Sequence, residues 1–168
     1  MCESEIVLHP SDLLRKKAIE VRDFSDPKLL ALIKNLFETL DSFDHCVGLA
    51  ANQIGGDLNV FVADASKNKS CESSFGRIAI INPVIVLKRE LAKSREGCMS
   101  VPDFTGDVNR ATDIVLRGFS LSGENLELAA KGFEAKIFQH EVDHLNGKLF
   151  IDRVASSRDI FARKRYRT

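Results

Sequence analysis

The chain has 168 residues, 44% of them hydrophobic and 29% charged, a balance that fits one soluble globular domain and excludes disorder or a collagen-like structure. A chain of this length buries roughly 70% of the surface its unfolded form exposes, so folding needs neither a disulfide nor a structural metal. Lys plus Arg and Asp plus Glu number 24 each, which leaves no global field toward nucleic acid or anionic lipid.

The opening MCESEIVLHPSD is acidic and broken by Pro10, where a secretory signal needs a basic start and a continuous apolar stretch. Ser25 is expected to cap a helix over 26–44, in which Leu29, Leu30, Ile33, Leu36, Phe37 and Leu40 follow helical spacing. Leu58 to Ala63 is expected to be a strand, as are Ile78 to Ile81 and Val84 to Leu87, with Pro83 marking a bulge or an edge. The polar stretch Lys67 to Ser74 reads as a loop. Ile114 to Leu121 and Leu126 to Ala130 form a hairpin pattern closed over Ser122-Gly123-Glu124-Asn125. After Gly132 the period becomes helical, with Phe133, Ile137, His140 and His144 along one side and Gly147 at the stop. The tail carries Arg158, Arg163, Lys164, Arg165 and Arg167 around Phe161 and Tyr166. It reads as a solvated terminal helix, or as a docking element for an acidic partner.

No run approaches the length of a membrane span, and the cysteines at 2, 46, 71 and 98 form no C-x-x-C pair. The expected setting is therefore the cytoplasm, with residues 1–168 acting as a single domain.

His140-Glu141-Val142-Asp143-His144 is the strongest chemical signal. Residues i and i+4 share a helix face, so two imidazoles can meet one metal while Glu141 lies beside the open coordination position. That layout suits metal-assisted hydrolysis. A third ligand is required, and His9, in an extended segment, and His45, at the expected end of the first helix, are poor candidates. Cys98, within Arg95-Glu96-Gly97-Cys98-Met99-Ser100-Val101-Pro102, reads equally as a thiolate ligand or a buried free cysteine. In Gly48-Leu49-Ala50-Ala51-Asn52-Gln53-Ile54-Gly55-Gly56 the small residues permit close backbone approach and Gln53 could donate to an oxyanion, although packing is the commoner use of such a turn.

Taken together, G-L-A-A-x-Q at 48–53, E-G-C-M-S at 96–100 and Q-H-E-x-D-H-L-x-G at 139–147 resemble the three signature motifs of peptide deformylases, in that family's order. The likeness extends to Ile6-Val7-Leu8-His9-Pro10 and to Gly147-Lys148-Leu149-Phe150-Ile151-Asp152-Arg153. It implies an α+β fold of mainly antiparallel sheets around a central metal-binding helix, with N-terminal and C-terminal helices.

It further implies that Cys98, His140 and His144 hold one divalent metal, usually Fe(II), with zinc, nickel or cobalt able to replace it. Glu141 would serve as base toward water and then as acid to the leaving amine. Gln53 and the backbone N–H of Met99 would receive the oxyanion. Gly48 would let the substrate lie along the backbone as an added strand, with Phe133 and Ile137 near the methionine pocket. The substrates implied are N-formylmethionyl peptides and nascent chains, with the ribosome as a docking partner for the basic tail. Asp143 is either a group that orients a histidine or a solvated helix residue. Cys46 stands where the family usually has glycine and is expected to narrow the entrance or shift peptide preference; Asn52 stands where proline is frequent. A metallopeptidase using the same helix would leave the Cys98 and Gln53 segments unexplained, and a non-catalytic binding module would leave Glu141 without a task.

Overall fold

The computed structural model describes residues 4–68, 71 and 74–163. Six strands and two helices follow in the order α1 (Pro27–Ser42), β1 (Gly48–Ala50), β2 (Val60–Asp64), β3 (Arg77–Cys98), β4 (Val101–Phe119), β5 (Asn125–Lys131), α2 (Gly132–Leu145) and β6 (Ile160–Ala162). The sheet runs β1-β2-β3-β4-β5, each neighbour antiparallel, and β6 pairs with β4. This is an α+β arrangement. No helix among the described residues is long and apolar enough to cross a membrane.

Helix α1 buries Leu29, Ile33, Leu36 and Leu40, the stripe expected from their spacing. Its cap is Asp26, whose carboxylate accepts from Lys28 N–H at 2.9 Å, and not Ser25, which is drawn to Asp23. Proline at the first helical position lacks the N–H that would otherwise go unsatisfied. Helix α2 packs against β4, β1, β2 and β5, and its Phe138 ring lies 5.6 Å from that of Phe61 on β2. A second, smaller core gathers Leu14, Cys98, Val101, Val108, Leu149 and Phe150.

The two expected strands around Pro83 are one strand, β3, with register shifts between Ile81 and Val84 and again between Ile85 and Leu87. Pro83 has no N–H to give to a ladder, which is why the irregularity sits there. Beyond Leu87 the strand continues through charged residues to Cys98, held by pairing with β4. A two-residue turn, Met99-Ser100, joins the two strands. The β4–β5 hairpin forms as its pattern indicates.

The expected C-terminal helix is not formed over 158–163. Ile160–Ala162 instead pairs with Phe104–Gly106, because alternating side chains and a free β4 edge favour a strand there. The Arg95 guanidinium covers the Phe161 ring at 3.6 Å. Lys164, Arg165, Tyr166 and Arg167 lie outside the described residues.

The stop of α2 is built tightly. Gly147 has φ +70°, and a Cβ on it would come within 2.3 Å of Arg15 O, because the N-terminal segment crosses here and Ala18 N–H donates to Leu145 O. Gly147→Ala is expected to destabilise the protein by at least the roughly 1–3 kcal/mol of a forced left-handed residue. Thermal unfolding reads this, and an unchanged midpoint would contradict the packing described.

Candidate active site

The Met99-Ser100 turn places Cys98 at the very end of β3, buried against α2. Helical spacing puts His140 and His144 on the face of α2 that meets it. Cys98 Sγ lies 3.2 Å from His144 Nε2, and His144 Nε2 lies 3.2 Å from His140 Nε2. The three ligand atoms all fall within 4.8 Å of one another. One thiol and two imidazoles form a donor set suited to Fe(II) or Zn(II) and poor for magnesium or calcium.

The two imidazoles of the cluster are shifted in opposite directions. Burial lowers the His140 pKa, but hydrogen bonds to Cys98 and Glu96 outweigh it and hold the ring well above the ordinary histidine range. Burial, helped by repulsion from His140 and Arg110, pushes His144 well below that range, so this ring stays neutral and able to donate a lone pair.

Outside the three sits a buried ionic chain that the sequence motifs do not announce. His140 Nδ1 meets Glu96 Oε2 at 2.8 Å, which fixes the imidazole and leaves Nε2 facing the other ligand atoms. Arg110 on β4 grips both Glu96 oxygens, at 2.7 and 2.9 Å, and reaches Asp143 on α2. Arg153 also bonds Asp143. Burial raises Glu96, yet the Arg110 and His140 hydrogen bonds prevail and hold it down to about 2. Asp143 is lowered too, its burial outweighed by Arg153 and Arg110, so it is a buried partner of arginines and not a solvated helix residue.

Gln53 and Glu141 complete the interior. Ala50 N–H donates to Gln53 Oε1 at 2.9 Å, which fixes the side-chain amide so that Nε2 faces Ser100 Oγ at 3.2 Å and Cys98 Sγ at 3.5 Å. Glu141 is buried, and its Oε2 has no hydrogen-bond partner among the described residues. Burial pushes its carboxyl up to about 7, against the pull of His140, which suits a group that must both take and return a proton near neutrality.

Gly48, Met99, Phe133 and Ile137 line the same pocket as Gln53 and Glu141. The close approach that Gly48 allows includes α2: a Cβ there would lie 2.5 Å from Glu141 Oε1 and 2.8 Å from Ile137 Cγ2. Gly48→Ala is therefore expected to displace the Glu141 carboxylate and lower kcat/KM about a hundredfold. Steady-state kinetics checks this, with a wild-type rate as the contrary result.

Cys46 is buried in the pocket wall, its thiol 3.2 Å from Gly48 O. Asn52 is structural: its amide donates to His144 O at 2.6 Å and ties the Gln53 segment to the end of α2. His45 lies beyond the end of α1, exposed at the pocket rim, and His9 is exposed.

Residues 3–159 match the sequence model of the polypeptide deformylase family. The peptide deformylase of Syntrophobacter fumaroxidans is 40% identical over 161 residues, covering 95% of this chain and 92% of that one. That of Desulforudis audaxviator is 40% identical over 166 residues, covering 98% and 99%. Among solved structures, the peptide deformylase of Thermotoga maritima superposes with a TM-score of 0.82 at 34% identity, covering 93% of this chain and 100% of that one. An Ehrlichia chaffeensis peptide deformylase in complex with actinonin gives 0.85 at 31% identity, covering 95% and 92%. With its three motifs converging on one pocket and these relatives matching nearly end to end, the chain belongs to the polypeptide deformylase family.

Proposed function

We propose that residues 1–168 act as a single catalytic domain that removes the formyl group from the N-terminal formylmethionine of newly made peptides, releasing formate. The observation that carries this reading is that the Cys98–His140–His144 cluster meets Glu141 and Gln53 at one pocket, which Cys98 and His140 line with them. Cys98, His140 and His144 would hold one divalent ion, Fe(II) in the cell and zinc, nickel or cobalt as substitutes, so that α2 is the metal-binding helix. When bound, the ion polarises the formyl carbonyl and makes water acidic enough to attack at neutral pH.

The chain's own residues do the rest. Glu141 takes the proton of the attacking water at its buried carboxylate and hands it to the leaving amine. Gln53 Nε2, whose direction Ala50 fixes, donates to the oxyanion as it develops, together with Met99 N–H. Losing one such donor costs about 3–4 kcal/mol of transition-state stabilisation. The peptide lies as an added strand beside Gly48, and its methionine side chain enters between Phe133 and Ile137. Cys46, in the same wall, narrows the entrance.

The setting of this reading is the cytoplasm, where nascent chains are the substrate and the basic C-terminal residues dock on the ribosome. Formate release from a formylmethionyl peptide by anaerobically prepared, iron-loaded protein tests the reaction, with the acetylated peptide as control. No formate from fully loaded protein would end this reading.

A further inference from the structure

We infer that the wall of this pocket carries a carboxylate-recognising subsite, formed by Lys136 on α2 and Arg163 just past β6, which favours peptides with an acidic side chain downstream of the formylmethionine. The inference rests on the deformylase reading above and adds a substrate preference to it.

Glu96 is held by Arg110 and His140, and Glu141 is buried beside the ligand cluster. Arg95 is bonded to Asp107 at 2.5 Å and lies on the Phe161 ring. Lys136 and Arg163 also line the pocket, both half-buried, and neither forms an ion pair among the described residues. The chain is neutral as a whole, so a preference set by these two cations would reflect their place in the wall and not a global field.

Arg163 is held in place by backbone. Residues Ile160–Ala162 pair with β4, and Arg163 N–H donates to Asp103 O at 2.7 Å. Its guanidinium carbon lies 3.7 Å from where a Cβ on Gly97 would sit, and Gly97 is the neighbour of Cys98. A guanidinium carried by a paired strand end loses less freedom on binding than one on a loop. Its planar fork matches a carboxylate, and partial burial strengthens the contact. In a peptide bound as an added strand, main-chain bonds are indifferent to sequence and alternate side chains face the wall. Their charge is what Lys136 and Arg163 would read.

The test uses amidated formyl-Met-Ala-Xaa peptides with Xaa as Glu, Gln or Lys, and the Gln peptide as its free acid, on metal-loaded enzyme. The Glu peptide is expected to exceed the Gln peptide about fivefold in kcat/KM, through KM. The ratio should fall to near one at about 0.5 M salt, where screening shortens to about 4 Å. It should also fall in the double variant Lys136→Gln, Arg163→Gln, while Arg163→Glu should turn the preference toward the Lys peptide. Lys88→Gln, the loss of one cation on an exposed part of β3, should keep the ratio.

Equal kcat/KM for Glu and Gln in the wild type, or a ratio that survives in the double variant, would overturn the subsite. A gain for the free acid with no gain for Glu would overturn its assignment to side chains. No formate from any peptide would instead overturn the deformylase reading itself, so the two failures are distinguishable.

Discussion

Glu141→Gln is expected to cut formate release about 100- to 10,000-fold, the range that a positioned proton-transfer group contributes, while leaving the metal content of the protein unchanged. Glutamine has the same shape, so the close approach to Gly48 survives, but its amide cannot take a proton from water. Burial is the reason glutamate can serve: the carboxyl sits near 7, close to working pH, and its Oε2 is left for something inside the pocket to satisfy. The measurement pairs formate release with elemental analysis of metal per chain. A variant that keeps more than about a tenth of the wild-type rate, well outside the range above, would sink the proposed role.

The second large effect is expected from Arg110→Met. Methionine fills part of the space but leaves Glu96 and Asp143, both buried, without the cation between them. Breaking a buried ion pair from one side typically costs about 3–5 kcal/mol, which for a domain of this size lowers the unfolding midpoint by roughly 10 °C. A second readout separates this from simple loss of packing. Glu96 orients His140, and disturbing such a partner weakens metal affinity about 10- to 100-fold, which competition with a chelator would show. A midpoint within about 2 °C of wild type would mean that the network adds little.

The sign with pH follows from Glu96, whose pKa falls from an ordinary 4.5 to about 2 in the folded protein. Its stabilisation is complete above the ordinary value and is lost as pH falls toward 2.

His140 and His144 were legible as a pair because they lie four residues apart on one helix, bounded by Gly132 and Gly147, where spacing alone predicts a shared face; Cys98 was not, since its segment reads equally as a ligand or a buried cysteine until the fold brings it to α2. The helix α1 was equally open to reading, since its apolar stripe is long and regular. The interior of β3 was not. From Leu87 to Gly97 it reads LKRELAKSREG, a charged run without strand alternation, and only its register on β4 makes it extended. For the same reason the Glu96–Arg110–Asp143 chain was hidden: its members come from β3, β4 and α2, and strand register is not written in local sequence. The one sign of it was an arginine, Arg110, between Val108 and the apolar residues that follow in β4. The tail misled in the opposite direction. Its basic residues suit a helix end, but a free β4 edge beside Phe104–Gly106 took Ile160–Ala162 as a strand.

The Met99-Ser100 turn also has a bearing on how the protein is made. Cys98 belongs to a hairpin whose second strand, β4, ends at Phe119, whereas His144 lies 46 residues after Cys98 and 25 after Phe119. At about 5–20 residues per second, the thiol waits roughly 2–9 s before its second imidazole is synthesised. For roughly the last 1–5 s of that interval both strands of the hairpin exist while His144 is still to be made. The order of synthesis therefore leaves the Cys98–His140–His144 cluster incomplete until the last turn of α2 exists, so it can be assembled only after the β3–β4 hairpin.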